Sequence, residues 1–286
     1  MKNDSKIICA LQNDKLVYIE EVESGIKCNC YCHACGEPLI ARKGNIKKHH
    51  FAHKSGTECH YGCQTSLHLM AKDILSKIKK IKLPALGILF DGAHKEKKVL
   101  PSKNIDIDYV GLECKIGSIV PDVVVYVDGR PLCIEIFVTH EIDEEKRNKI
   151  FEQNLPVIEV DLSDLKDNFN KDILEDIFIN DSERKKWIYS PKQKEFIRKY
   201  QVIANEMIVN SSEFGFGYVN YCPIAATMYR GKPRARVFEE CGWCQYFAGY
   251  VDEGDQYNYP IKIYCNGKKK IDTMEDLKRE LNNRKK

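Results

Sequence analysis

At 286 residues with a formal net charge of +3, the chain is long enough for one good core and one or two small modules. No secretory signal follows Met1 and no apolar run approaches membrane-spanning length, which predicts a soluble, cytoplasmic protein with no membrane partner. The near-neutral total hides basic clusters at Arg42–Lys54, Lys77–Lys82, Lys95–Lys98, Arg184–Lys199 and from Lys268 onward. Each alone is compatible with a solvated surface, but together they favour a polyanionic partner.

Thirteen cysteines in a reducing compartment read as metal ligands rather than disulfides. The N-terminal group is Cys28, Cys30, Cys32 and Cys35, then His49, His50 and His53, then Cys59, His60 and Cys63. Within it, Cys32-His33-Ala34-Cys35 followed by Gly36 makes a knuckle, and His50-Phe51-Ala52-His53 offers two imidazoles after a hairpin-like stretch. Two thiolates and two imidazoles are a tetrahedral zinc set, so Cys32, Cys35, His50 and His53 are the expected structural ligands. The remaining cysteines are alternative ligands or small buried residues.

Thr65–Lys80 is expected to be helical, with Leu67, Ala71, Ile74, Leu75 and Ile78 on its apolar face. Gln64, His68 and Lys72 recur along the opposite flank, either as a solvated stripe or as the border of a site. Strands are expected at about 86–90, 110–116, 119–127, 132–139 and 155–162, with a helix at about 143–153. Helix, antiparallel meander, crossover helix and further strand make an α/β sandwich with a mixed sheet flanked by helices.

Inside the meander, Asp122 follows Pro121 and Glu135 lies on the next strand, with Asp128-Gly129 between them. That dipeptide is a strong two-residue hairpin signal, and counting back from it sets Asp122 opposite Glu135 on one face of the sheet. Two carboxylates so placed among valines and isoleucines repel unless a cation joins them. They are the expected ligands of a catalytic Mg²⁺ or Mn²⁺. Glu113 is a candidate third carboxylate or an exposed edge acid.

Beyond residue 163, helices are expected at 167–179 and 191–210, with 211–217 as a hinge. Trp187, Tyr189 and Tyr200 stand among basic residues there, either stacking on unpaired bases or packing a helix. Near the C-terminus, Cys222, Cys241, Cys244 and Cys265 could close a second, ribbon-like structural zinc site. The expected domains are 1–63 (hairpin and zinc module), 64–165 (catalytic α/β domain), 166–210 (helical connector) and 211–286 (zinc-ribbon-like module).

The ordered words Tyr31-Cys32-His33-Ala34-Cys35-Gly36-Glu37-Pro38-Leu39-Ile40-Ala41-Arg42-Lys43-Gly44, His50-Phe51-Ala52-His53, Ser66-Leu67-His68 with Lys72, Pro121-Asp122, Glu135 with Val138-Thr139-His140, Lys146, and Val157–Leu162 carry a resemblance. The chain resembles the competence-protein CoiA-like nuclease family, within the PD-(D/E)XK restriction-endonuclease-like fold, most clearly over residues 27–165. The resemblance implies a divalent-metal nuclease joined to a zinc module, with DNA as substrate, working in DNA uptake or in defence. It makes Asp122 and Glu135 the two motif acids. The motif lysine should stand two residues after Glu135, where this chain has Phe137. Lys146, Lys72 and His140 are the candidate replacements, Lys146 foremost. His33 and Gln64 depart more mildly from the family pattern. The competing expectation is a catalytically impaired nuclease-fold module that binds DNA, or a recombination or defence protein. A homo-oligomer is compatible with either.

Overall fold

A computed structural model describes residues 7–56, 62–139, 142–165, 168–225, 228–251, 260–269 and 271–284. Expectations that fell on Cys59, His60 and His140, and on the side chains of Cys63 and Gln64, lie outside the described residues. The architecture is mixed α/β and rich in sheet, with five α-helices among the described residues. None of the described helices is long and apolar enough to cross a membrane.

The chain divides into two compact units, Met1–Pro84 with Lys103–Tyr189, and Ala85–Ser102 with Ser190–Lys286. This differs from the expected four-part division. The N-terminal strands share one apolar core with the first helix and the central sheet: Cys9, Leu39 and Phe51 belong to the same cluster as Leu67, Met70, Val123 and Ile158.

In the first unit, strands Cys9–Gln12, Lys15–Tyr18, Gly25–Tyr31, Pro38–Arg42 and His50–His53 form a five-stranded sheet. The helix Gly62–Leu75 follows; it ends short of the expected Lys80, and Lys80–Leu83 is a strand paired with Lys103–Asp106. The second five-stranded sheet runs in spatial order Tyr109–Leu112, Val123–Val127, Arg130–Phe137, Val157–Asp161, Lys185–Tyr189. Its only parallel pair is Arg130–Phe137 with Val157–Asp161, the two strands joined through the helix Glu144–Glu152. That mixed sheet is as expected. A further helix, Lys171–Asn180, buries Leu174, Ile177 and Phe178.

In the second unit, the helix Pro191–Ile203 starts at a Ser190–Gln193 capping box with proline in its first turn. It stops seven residues before its expected end at residue 210, since Asn205–Ser211 is a strand inside a six-stranded sheet. Ser211 pairs with Gly217, so the expected hinge at 211–217 is a hairpin connection within that sheet. The C-terminal region is therefore larger than a ribbon. Its core is Val219, Ala235, Val237, Phe247 and Ile263, and the helix Met274–Asn283 contributes buried Leu277.

Candidate functional site

The Asp128-Gly129 turn forms as read. Val127 pairs with Arg130, and both turn residues have positive φ, +50° and +69°. Two successive residues at positive φ are what a two-residue type I′ hairpin requires. The ladder then runs back to Val123 opposite Ile134, so Asp122 and Glu135 meet at its end. Both acids line one cavity of about 230 Å³ together with His68, Ile136, Phe137, Ile142, Asp143, Lys146 and Glu159.

Three donors from two elements converge on Asp122. The His68 Nε2–H donates to Oδ1 at 2.9 Å, and the Ile136 backbone N–H donates to Oδ2 at 2.9 Å. Lys72 Nζ lies 3.1 Å from Oδ1 and 2.8 Å from Glu113 Oε1. His68 and Lys72 are four residues apart, one turn on the first helix, while Leu67, Met70, Ala71 and Ile74 face the core. Burial raises the Asp122 carboxyl, but His68, the Ile136 amide and Lys72 outweigh it and hold it at about 2. Lys72 is pulled down by burial and more strongly up by Glu113 and Asp122, and stays charged. Glu113 is itself largely exposed and joins the group through Lys72.

Glu135 behaves oppositely. Burial pushes its carboxyl up to about 7, with the Asp122 charge adding to the rise and Lys146 opposing it. Lys146 Nζ is 2.8 Å from each Glu135 oxygen. The lysine stands in the first turn of its helix, where the Asp143 side chain caps the Lys146 N–H at 2.7 Å. Phe137, two residues after Glu135 on the same strand face, lines the cavity in the place where the motif lysine was expected.

Glu159 was not singled out as a site residue. It lies beside Glu135 in the parallel register, is 2% exposed, and pairs with Lys186 Nζ at 2.7 Å. The available signal was an acid inside an otherwise apolar strand. Trp187, Tyr189 and Tyr200 take the packing alternative: Tyr189 and Tyr200 are buried, and the Trp187 indole donates to the Pro84 carbonyl.

In the N-terminal sheet, Cys32, Cys35 and His53 bring their ligand atoms within 4.8 Å of one another. The knuckle closes through the Gly36 N–H donating to the Cys32 carbonyl at 2.7 Å, with Gly36 at φ +73°. His53 Nε2 lies 3.2 Å from Cys35 Sγ. This trio could hold a metal such as zinc. His50 is not part of it, and the expected ligand set is corrected accordingly. The alternation of the strand sends His50 and His53 to opposite faces, and His50 Nδ1 instead contacts the Lys48 carbonyl at 2.9 Å. Cys28 and Cys30 are buried thiols donating to the Leu39 and Cys28 carbonyls.

Cys222, Cys241, Cys244 and Cys265 line a second cavity, of about 130 Å³, in the C-terminal sheet. Cys244 Sγ accepts the Tyr246 N–H at 3.5 Å and Cys265 Sγ accepts the Gly267 N–H at 3.3 Å. Burial raises the thiols of Cys241, Cys244 and Cys265, and the neighbouring cysteines raise them further.

Residues 14–62 match the family model described as competence protein CoiA, N-terminal domain. Over those residues the chain is similar to the CoiA N-terminal domain. The matched segment contains Cys32, Cys35 and His53 and ends before the Asp122–Glu135 cavity. No curated protein and no solved structure matches the chain.

Proposed function

We propose that this CoiA-like protein is a divalent-metal-dependent nuclease that hydrolyses DNA phosphodiester bonds, with a restriction-endonuclease-like core around the mixed sheet. The observation that carries this reading is the meeting of Asp122 and Glu135 in one solvent-open cavity flanked by Lys72 and Lys146. The donor set fits Mg²⁺ or Mn²⁺: both candidate ligands are hard oxygens, and burial, with the Asp122 charge adding, raises the Glu135 carboxyl, an effect that a bound divalent cation would oppose. Such a metal would polarise the scissile phosphate and lower the pKa of a bound water. His68 and the Ile136 amide orient Asp122. Lys146 stands where an ammonium can hold a water or a phosphoryl oxygen, in the role that Phe137 cannot fill. Lys72 and the basic clusters would take the DNA backbone without reading its bases. The similarity to the competence protein CoiA N-terminal domain supports a role in competence, and defence against foreign DNA would use the same chemistry.

The N-terminal trio and the four C-terminal cysteines would each hold a structural zinc. For the second site, the two backbone N–H groups aimed at Cys244 and Cys265 favour thiolate.

Incubation of the protein with linear, circular and single-stranded DNA plus Mg²⁺ or Mn²⁺ tests the nuclease. Cleavage is expected, lost in Asp122→Ala and reduced about 100-fold or more in Lys146→Ala, with Lys149→Ala unaffected. Phe137 favours a second reading, a nuclease-fold module that binds without cutting. Binding without cleavage, unchanged by Asp122→Ala, would establish it in place of the first.

A further inference from the structure

The second unit presents an edge hairpin whose chemistry the Asp122–Glu135 cavity does not use. Strand Met228–Tyr229 is the outermost of the six-stranded sheet, pairs with Lys232–Arg236, and that strand pairs with Gly217–Asn220. Alternation turns Val219 and Ala235 into the core, both buried. The opposite face carries Tyr218, Asn220, Lys232 and Arg234. Between Glu213 and Glu239 the sequence contains no acid, yet it contains Arg230, Lys232, Arg234 and Arg236. Arg236 is drawn to Glu239 and Glu240. Among the described residues, no acid pairs with the other three.

Those cations are interleaved with rings. The Arg234 guanidinium lies 3.9 Å from the Tyr218 ring centroid and 4.0 Å from that of Tyr229, and its Nε–H donates to Asn220 Oδ1 at 2.9 Å. Lys232 Nζ stands 5.3 Å from the Tyr221 ring and Arg230 5.4 Å from the Tyr229 ring. Tyr221 is 64% exposed and Tyr229 45%. Exposed tyrosines alternating with uncompensated cations match an unpaired nucleic-acid strand: the rings stack on bases and the cations follow phosphates. A duplex keeps its bases stacked on one another and would use the charge alone. An acidic polypeptide would likewise leave the ring faces without a role.

We propose that the face carrying Tyr218, Tyr221, Tyr229, Arg230, Lys232 and Arg234 is a binding surface for single-stranded nucleic acid, selected by stacking rather than by sequence. It stands apart from the nuclease reading, because none of these residues lines the carboxylate cavity. The test is fluorescence anisotropy of the full-length protein with a labelled oligo-dT of about 20 nucleotides, a length spanning one such site. Magnesium- and manganese-free buffer prevents cleavage at the Asp122–Glu135 site during the measurement. The Tyr221→Ala/Tyr229→Ala double variant is expected to weaken binding about 10-fold or more with its salt dependence retained. Tyr221→Phe/Tyr229→Phe should bind as the parent does, since phenylalanine keeps the ring. Arg230→Gln/Lys232→Gln should weaken binding and flatten the salt dependence. Parent-like dT binding by the double-alanine variant overturns the proposal. So does duplex binding that the double-alanine variant weakens as much as it weakens dT binding, or poly-glutamate binding that these variants abolish while dT binding persists.

Discussion

Asp122 and Glu135 are the same chemistry held in opposite states. Asp122 sits at about 2 because three donors reach it; Glu135 sits at about 7 because burial dominates and one lysine does not offset it. The unfolded glutamate titrates at its ordinary value of about 4.3. Between there and about 7 the folded state binds more protons, so this group makes the metal-free protein less stable as pH rises through that window. Glu135→Gln keeps the shape, cannot ionise, and should stabilise the metal-free protein at pH 8 by about 1–3 kcal/mol while leaving stability at pH 4 nearly unchanged. Urea melts of both proteins at the two pH values check this. Equal destabilisation at both would mean that Glu135 is a structural partner of Lys146 rather than a carboxylate awaiting a cation. At this scale the pair was legible because Asp128-Gly129 sets a register countable from sequence. Glu159 was not, because its place beside Glu135 depends on a parallel pairing set by a crossover helix, and no local count reaches across it.

At the scale of elements, strand alternation corrects the zinc set. In His50-Phe51-Ala52-His53 the buried residues are Phe51 and His53, one face of a four-residue strand, and only that face meets the Cys32–Cys35 knuckle. His53→Ala should therefore lower bound zinc and the melting temperature together, whereas His50→Ala should leave both near the parent values. Zinc content by mass spectrometry of the native protein, with thermal melts alongside, separates the two; a matching loss in His50→Ala would restore the expected four-ligand set. Ligand chemistry alone selects both histidines, and only strand alternation separates them. The expected helix from Pro191 likewise ran on to residue 210, into the strand Asn205–Ser211. That stretch becomes a strand because two neighbours, Gly217–Asn220 and Lys262–Cys265, offer it ladder partners from distant sequence. The helices at 62–75 and 144–152 were legible because an apolar stripe and an Asp143 cap are local signals.

For the whole molecule, the first unit is interrupted by a segment, Ala85–Ser102, that belongs to the second. Its residues Leu86, Ile88 and Phe90 are buried, so a simple truncation after Tyr189 would strand apolar side chains and is expected to aggregate. The register shows a cleaner cut. Leu83 pairs directly with Lys103 in an antiparallel ladder that continues to Lys80 opposite Asp106. Replacing residues 84–102 by Asn-Gly would join those strands through a two-residue turn suited to their twist. Ending that chain at Tyr189 leaves the first unit's core, from Cys9 and Phe51 to Val123, Ile158 and Phe178, without a gap in its members. Asn in place of Pro84 keeps a backbone carbonyl at that position to accept the Trp187 indole N–H, a bond worth about 1 kcal/mol. The excised chain should unfold in one cooperative thermal transition and retain a near-ultraviolet circular dichroism signal. The truncation that keeps 85–102 should show neither. If both behave alike, the first unit draws its stability from elsewhere in the chain, and the cut implied by the Leu83–Lys103 pairing is not a true boundary of folding.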